Sequence, residues 1–150
     1  MSATPVISVR DVVNRFGRQV VHDGVSFDVF PGEVFGIVGG SGSGKSVLLK
    51  TMLGLRRPTS GAVEVEGRDI TTMSDAELRE VKRRYGVTFQ HGALFSSLTV
   101  AENVTLPVAE AVDLDEPALA SLVDLRLRMV GLPLEAAAKH PSQLSGGMVK

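Results

Sequence analysis

An α/β fold built around a phosphate-binding loop is predicted by three adjoining features of the sequence. Gly39 to Ser46 reads Gly-Gly-Ser-Gly-Ser-Gly-Lys-Ser and satisfies G-x-x-x-x-G-K-[ST] with Gly39, Gly44, Lys45 and Ser46 at the required positions. Before it, Val34-Phe35-Gly36-Ile37-Val38 is a short apolar run that reads as a buried strand. After it, Val47 to Leu53 carries apolar residues at helical spacing, with Gly54 placed to terminate the helix. Strand, glycine loop and helix form the context such a loop needs, and a chance Gly/Ser linker would not be flanked by apolar elements.

The spacing has a physical basis. Glycines let the chain turn tightly enough for successive N–H groups to point at phosphate oxygens. A helix starting near Gly44 adds its positive end to the cradle. The expected phosphate contacts are Gly39, Gly40, Ser41, Gly42, Ser43, Gly44, Lys45, Ser46 and Val47, with the Lys45 ammonium on the β- and γ-phosphates and the Ser46 hydroxyl on Mg²⁺.

The remaining elements follow in order. Val6–Val13 and Val20–Phe30 read as two strands with Gly17-Arg18 as turn chemistry between them, hence an antiparallel hairpin, and Pro31-Gly32 breaks the chain before the loop strand. Phe16, near that turn, reads either as a residue packing the hairpin onto the domain or as an aromatic face open to a nucleotide base. Arg56 to Gly61 is a turn and Ala62–Glu66 a short strand. Ser74-Asp75-Ala76-Glu77 fits a capping box opening a helix through Leu78 and Val81. Tyr85–Phe89 reads as another core strand, and Gln90, where it emerges, is a candidate polar ligand for an ion or water. Val100–Val108 and Glu116–Val130 have helical character, and the second is closed by Gly131-Leu132-Pro133.

Composition sets limits. At 150 residues, 43% hydrophobic and 22% charged, the chain can bury an ordinary globular core. A net charge of −1 provides no electrostatic basis for a nucleic-acid partner. With no cysteine, disulfides and thiolate metal sites are excluded, which is compatible with the cytosol. No signal peptide is expected from Met1–Val13, and no apolar run approaches a membrane span.

Ser142 to Met148 ends in Leu-Ser-Gly-Gly-Met, with Ser145 lying 100 residues beyond Lys45. The phosphate loop, Gln90 and this segment together resemble the nucleotide-binding subunit of ABC transporters. The resemblance covers the whole chain but only about the first two thirds of a typical ATPase domain of that family. It implies a P-loop NTPase fold of the ABC ATPase type: an antiparallel β subdomain (residues 1–33), a P-loop core with part of a parallel sheet (34–90), and a helical subdomain ending in the signature motif (91–150). It further implies that Phe16 stacks on adenine, that Lys45 and Gln90 serve hydrolysis, and that Ser46 and Gln90 contact Mg²⁺. Ser145, Gly146 and Gly147 would close over ATP bound to a second ATPase subunit, and His91–Ser97 would face a membrane permease. Met148 departs from the family's commoner glutamine. Phe89-Gln90-His91-Gly92-Ala93-Leu94-Phe95 together with Leu-Ser-Gly-Gly-Met is similar to the ATPases of MCE-type lipid transporters, the maintenance-of-lipid-asymmetry class. That likeness implies phospholipid transport at the cytoplasmic face of the inner membrane, with MCE lipid-binding components as partners. An amino-acid or lipoprotein-releasing transporter is the neighbouring possibility, and a soluble repair or cluster-assembly ATPase a more distant one.

The family's Walker B strand and switch histidine follow the signature and are not in these 150 residues. The expectation is therefore a fragment or truncated product with its C-terminal part missing, at best a nucleotide binder with little turnover; a non-catalytic nucleotide- or permease-binding product is the alternative. Leu114-Asp115-Glu116-Pro117 imitates the end of Walker B, but Glu110 and Asp113 would put unpaired carboxylates into a buried strand. Asp115 and Glu116 read better as a helix start, with Pro117 in its first turn. His22, His91 and His140 each read as solvated or incidentally hydrogen-bonded.

Overall fold

The computed structural model describes residues 4–89, 92–109 and 112–149. The chain divides into two compact units, Met1–Gly86 and Val87–Lys150.

In the first unit, β1 (Ile7–Phe16) and β2 (Gln19–Val29) form the expected hairpin about Gly17-Arg18. They join β3 (Ser60–Val65) and the two-residue β4 (Arg68–Asp69) in an antiparallel sheet of order β2-β1-β3-β4. β1 is bulged. Val9 faces Phe27 but Val12 faces Val25, so three residues of β1 oppose two of β2. The extra residue is Asp11, left-handed at φ 47°, whose N–H donates to Ser26 Oγ (2.8 Å) and whose carboxylate accepts from the same hydroxyl (3.1 Å). The bulge moves the inward positions from an odd to an even series. Val9, Val12 and Asn14 are all fully buried.

Behind the sheet lie α1 (Lys45–Met52) and α2 (Asp75–Lys82). Leu48 and Met52 of α1 and Leu78 and Val81 of α2 pack with Val9, Val12, Val63 and Val65 in one core. α1 ends in a Schellman motif on Gly54 (φ 61°): Leu55 N–H donates to Lys50 O (2.9 Å) and Gly54 N–H to Thr51 O (3.1 Å). α2 opens with the predicted capping box, Ser74 N–H donating to Glu77 Oε2 (2.9 Å) and Glu77 N–H to Ser74 Oγ (3.4 Å).

The two expected core strands differ from expectation. Val34–Val38 and Tyr85–Phe89 lie in no sheet ladder among the described residues. Phe35 stacks on Phe27 (ring centroids 4.8 Å apart, 10° between planes) and Ile37 packs on the core, while Val34 and Val38 are 99% and 92% exposed. The run thus keeps the alternation of a strand with one side packed. A parallel strand buried on both faces needs hydrogen-bonding neighbours and a second covering layer, and the described residues supply neither.

In the second unit, α3 (Val100–Ala109) and α4 (Glu116–Met129) pack through Val100, Val123 and Leu127. The first N–H groups of α3 are satisfied by a returning segment, Val100 N–H on Lys139 O (2.8 Å) and Ala101 N–H on Ala137 O (2.9 Å). A second capping box, Thr99 with Glu102, starts the same helix. α4 begins at Asp115, whose carboxylate accepts from Ala118 N–H (2.9 Å), with Pro117 in the first turn. Leu-Asp-Glu-Pro is therefore a helix cap, as its flanking carboxylates require. Two short 3₁₀ turns (Leu134–Ala136 and Pro141–Gln143) lead to α5 (Gly146–Val149). No helix among the described residues is long and apolar enough to cross a membrane.

Candidate functional site

Residues 41–44 turn the chain directly into α1, of which Lys45 is the first residue. The Lys45 ammonium folds back into the loop and donates to Gly39 O (2.8 Å), Gly40 O (2.6 Å) and Ser43 Oγ (3.4 Å). Among the described residues, the N–H groups of Gly42, Gly44, Lys45 and Ser46 have no hydrogen-bond acceptor. They are consecutive or alternate donors at a helix start, the arrangement that takes an anion. The Ser46 hydroxyl is on an exposed residue beside them. An open cleft of about 260 Å³, lined by Val21, Gly42, Gly44, Lys45, Ser46 and Val47, lies over the loop.

Gly44 stands where β2 crosses the loop. Its φ is 91°, and a Cβ there would lie 2.5 Å from Val21 Cγ1 and 2.7 Å from His22 Nε2. Only a residue without a side chain lets the strand approach this closely.

Of the two readings given for His22, solvated or incidentally hydrogen-bonded, the structure has the second, with the residue 9% exposed. Its Nδ1 is 3.2 Å from Asn14 Nδ2, which also donates to Thr51 Oγ1 (3.2 Å), and the single Thr51 hydroxyl proton goes to Val47 O (2.9 Å). Since an amide nitrogen can only donate, Nδ1 is the acceptor and the imidazole is neutral. Burial lowers the His22 pKa from its ordinary value. This polar trio under the loop was missed by the sequence reading. Its signal was weak: a Thr within the α1 apolar series and an Asn that only the bulge turns inward.

Phe16 lies at the end of β1, 44% exposed, with the Arg56 guanidinium carbon 3.9 Å from its ring centroid. Gln90 and His91, the former expected to contact Mg²⁺, fall outside the described residues. Just beyond them, Asn103 gathers the 95–99 segment, accepting from Phe95 N–H (2.7 Å) and donating to Phe95 O (3.1 Å), Leu98 O (3.2 Å) and Thr99 O (2.9 Å). In the second unit, Ser145, Gly146 and Gly147 are exposed at the start of α5, where Ser145 O accepts from Met148 N–H (2.9 Å). Cβ atoms built on either glycine would meet open space.

The profile of the family described as "ABC transporter" matches residues 22–150, a span running from His22 beneath the loop to the signature segment. The chain belongs to the ABC transporter family. Within it, the chain is similar to the methionine import ATP-binding protein MetN of Brucella abortus (strain 2308), 40% identical over 146 residues, 97% of this chain and 39% of MetN. It is also similar to the intermembrane phospholipid transport system ATP-binding protein MlaF of Haemophilus influenzae, 39% identical over 145 residues, 97% of this chain and 54% of MlaF. Among solved structures, the dimeric bacterial ABC transporter cassette MJ0796 superposes with a TM-score of 0.86 at 30% identity, over 95% of this chain and 65% of the cassette. The fold is accordingly that of an ABC ATPase. The chain spans about two fifths of MetN and about half of MlaF.

Proposed function

We propose that this chain is the nucleotide-gripping part of an ABC transporter ATP-binding subunit, which binds Mg-ATP at residues 39–47 and, as part of the whole protein, hydrolyses it. The observation that supports this most directly is the set of N–H donors on Gly42, Gly44, Lys45 and Ser46 with no acceptor among the described residues, beside a lysine held by two loop carbonyls and the Ser43 hydroxyl. On binding, Lys45 exchanges those carbonyls for β- and γ-phosphate oxygens, which are stronger, charged acceptors. Ser46 supplies a hydroxyl, and Gln90 a side-chain oxygen, for Mg²⁺. A bound Mg²⁺ would neutralise charge on the phosphates. Phe16 offers a ring face to adenine, and Ser145, Gly146 and Gly147 present donors to the ATP of a second subunit. Replacing Lys45 with Ala should abolish ATP binding by the full-length protein; calorimetric affinity equal to wild type would overturn the assignment.

The cargo reading is phospholipid, with the subunit peripheral on the cytoplasmic face of the inner membrane and partnered by permease and MCE-type components. It is supported by the Phe89–Phe95 segment and by similarity to MlaF. Methionine import is the second reading, favoured by MetN relatives at 40% and 44% identity. Reconstitution of the full-length protein with the permease of its own gene neighbourhood separates them. Phospholipid movement dependent on Lys45 supports the first, and methionine uptake dependent on Lys45 replaces it with the second.

A further inference from the structure

The loop after α1 does more than turn the chain. Its backbone is tied to the end of β1 by Thr59 N–H on Val13 O (2.8 Å) and by Arg15 N–H on Thr59 Oγ1 (3.0 Å). Within it, Arg56 N–H donates to Lys50 O (3.2 Å), the carbonyl that also closes the α1 C-terminus. The Arg56 side chain then crosses to β1. Nη2 donates to Arg15 O (3.3 Å), and the guanidinium carbon stands 3.9 Å from the centre of the Phe16 ring. The charge has no carboxylate: Arg56 is in no ion pair among the described residues, and its buried Nε has no hydrogen-bond partner among them.

An arginine held by one carbonyl and one aromatic face, with a buried unpaired donor, is there for the ring. We infer that Arg56 is a positioning residue for base recognition: it occupies one face of Phe16 and fixes the ring so that the other face receives the nucleotide base. This rests on the reading of residues 39–47 as a triphosphate site and adds the element that selects what the triphosphate carries. Two physical effects act together. A cation over one face draws on the negative π-cloud of Phe16, which reduces repulsion against a second π-system stacked opposite. The carbonyl bond and the Lys50 contact hold Arg56 in place over the ring, and a ring covered on one face by a fixed neighbour loses less freedom when a base arrives on the other. Arg56 follows the C-terminal end of α1, the helix that begins at Lys45, and its N–H is bonded to that helix at Lys50 O.

The test separates base from phosphate. Full-length wild-type, Arg56→Ala, Arg56→Lys and Phe16→Leu proteins, and the Phe16→Leu/Arg56→Ala pair, are titrated calorimetrically with Mg-ATP and with inorganic tripolyphosphate, and thermal melts are recorded for each. Arg56→Ala should weaken ATP about five-fold, the size of an exposed cation–π contact, while leaving tripolyphosphate unchanged. Arg56→Lys, which keeps the cation, should recover part of the loss. In the Phe16→Leu background Arg56→Ala should have no further effect on ATP. Equal losses for ATP and tripolyphosphate, no loss for either, or an undiminished Arg56 effect without the ring would each overturn the inference. Should Arg56→Ala fail to fold, Arg56→Lys carries the same comparison, and full wild-type selectivity for ATP over tripolyphosphate in Arg56→Met would overturn it. Wild-type protein that binds neither ligand would instead sink the triphosphate reading and this inference with it.

Discussion

Asn14 Nδ2 lies 3.2 Å from His22 Nδ1, and the far side of the same imidazole abuts Gly44 of the glycine-rich loop. The pair is a neutral prop. Asn14 uses one amide hydrogen on His22 and the other on Thr51, so a protonated His22 would face a donor with a donor.

A pH dependence follows from this contact. Burial holds the folded-state pKa of His22 below the ordinary value near 6.5. The unfolded chain therefore binds the extra proton first, and stability is present above about 6.5 and lost as pH falls through the folded pKa. Asp28, Glu77 and Glu102, whose pKa values are also lowered, by hydrogen bonds from Ser8, Ser74 and Thr99, lose their contribution only as pH falls from the ordinary carboxylate range through their lower folded values. The urea midpoint should thus decline between pH 7 and 5 in wild type and hold level in His22→Leu. Parallel profiles for the two proteins would remove His22 from this role.

Gly44→Ala places a methyl group against Val21 and His22 at a positive φ. The strain should cost about 1–3 kcal/mol of stability. The loop should also lose tripolyphosphate affinity, because β2 can no longer seat against it. Urea unfolding and calorimetry measure the two effects, and an alanine variant with wild-type values in both would show that the close approach is not needed.

Asp115 caps α4 through Ala118 N–H. Asp115→Ala should cost about 1 kcal/mol, whereas Asp115→Asn, which keeps a capping oxygen, should cost little and leave hydrolysis by the full-length protein intact. Loss of hydrolysis in Asp115→Asn would mean that Leu-Asp-Glu-Pro has a catalytic part after all.

Ser145 is exposed, and the two glycines that follow it, Gly146 and Gly147, are exposed as well. Ser145→Arg should be tolerated in the fold, with an unchanged melt and unchanged ATP affinity at the Lys45 site. Steady-state hydrolysis by the full-length protein should drop by at least about 100-fold, the scale for losing transition-state donors. Wild-type turnover in this variant would contradict a site shared between subunits.

Features written in contiguous residues were legible beforehand. The glycine-rich turn that runs into α1 at Lys45, the Ser74–Glu77 capping box, the hairpin about Gly17-Arg18 and the helix start at Asp115 each depend on neighbours within a few positions. The strands at Val34–Val38 and Tyr85–Phe89 were less legible, because apolar runs state a preference for burial while a ladder needs partners from elsewhere.

By itself, the sequence determined that glycines, a lysine and a serine stand at a helix start where unpaired amides gather, since local spacing and backbone freedom suffice for that. Tertiary structure decided what lies beneath and beside the loop. The extra residue at Asp11 reverses which side of β1 faces inward, which sends Asn14 into the core against His22 and Thr51. The fold then returns the chain after α1 to the end of β1, so that Arg56 covers Phe16. A period-of-two pattern cannot announce its own interruption, and a contact across 40 residues is made only when packing closes the distance.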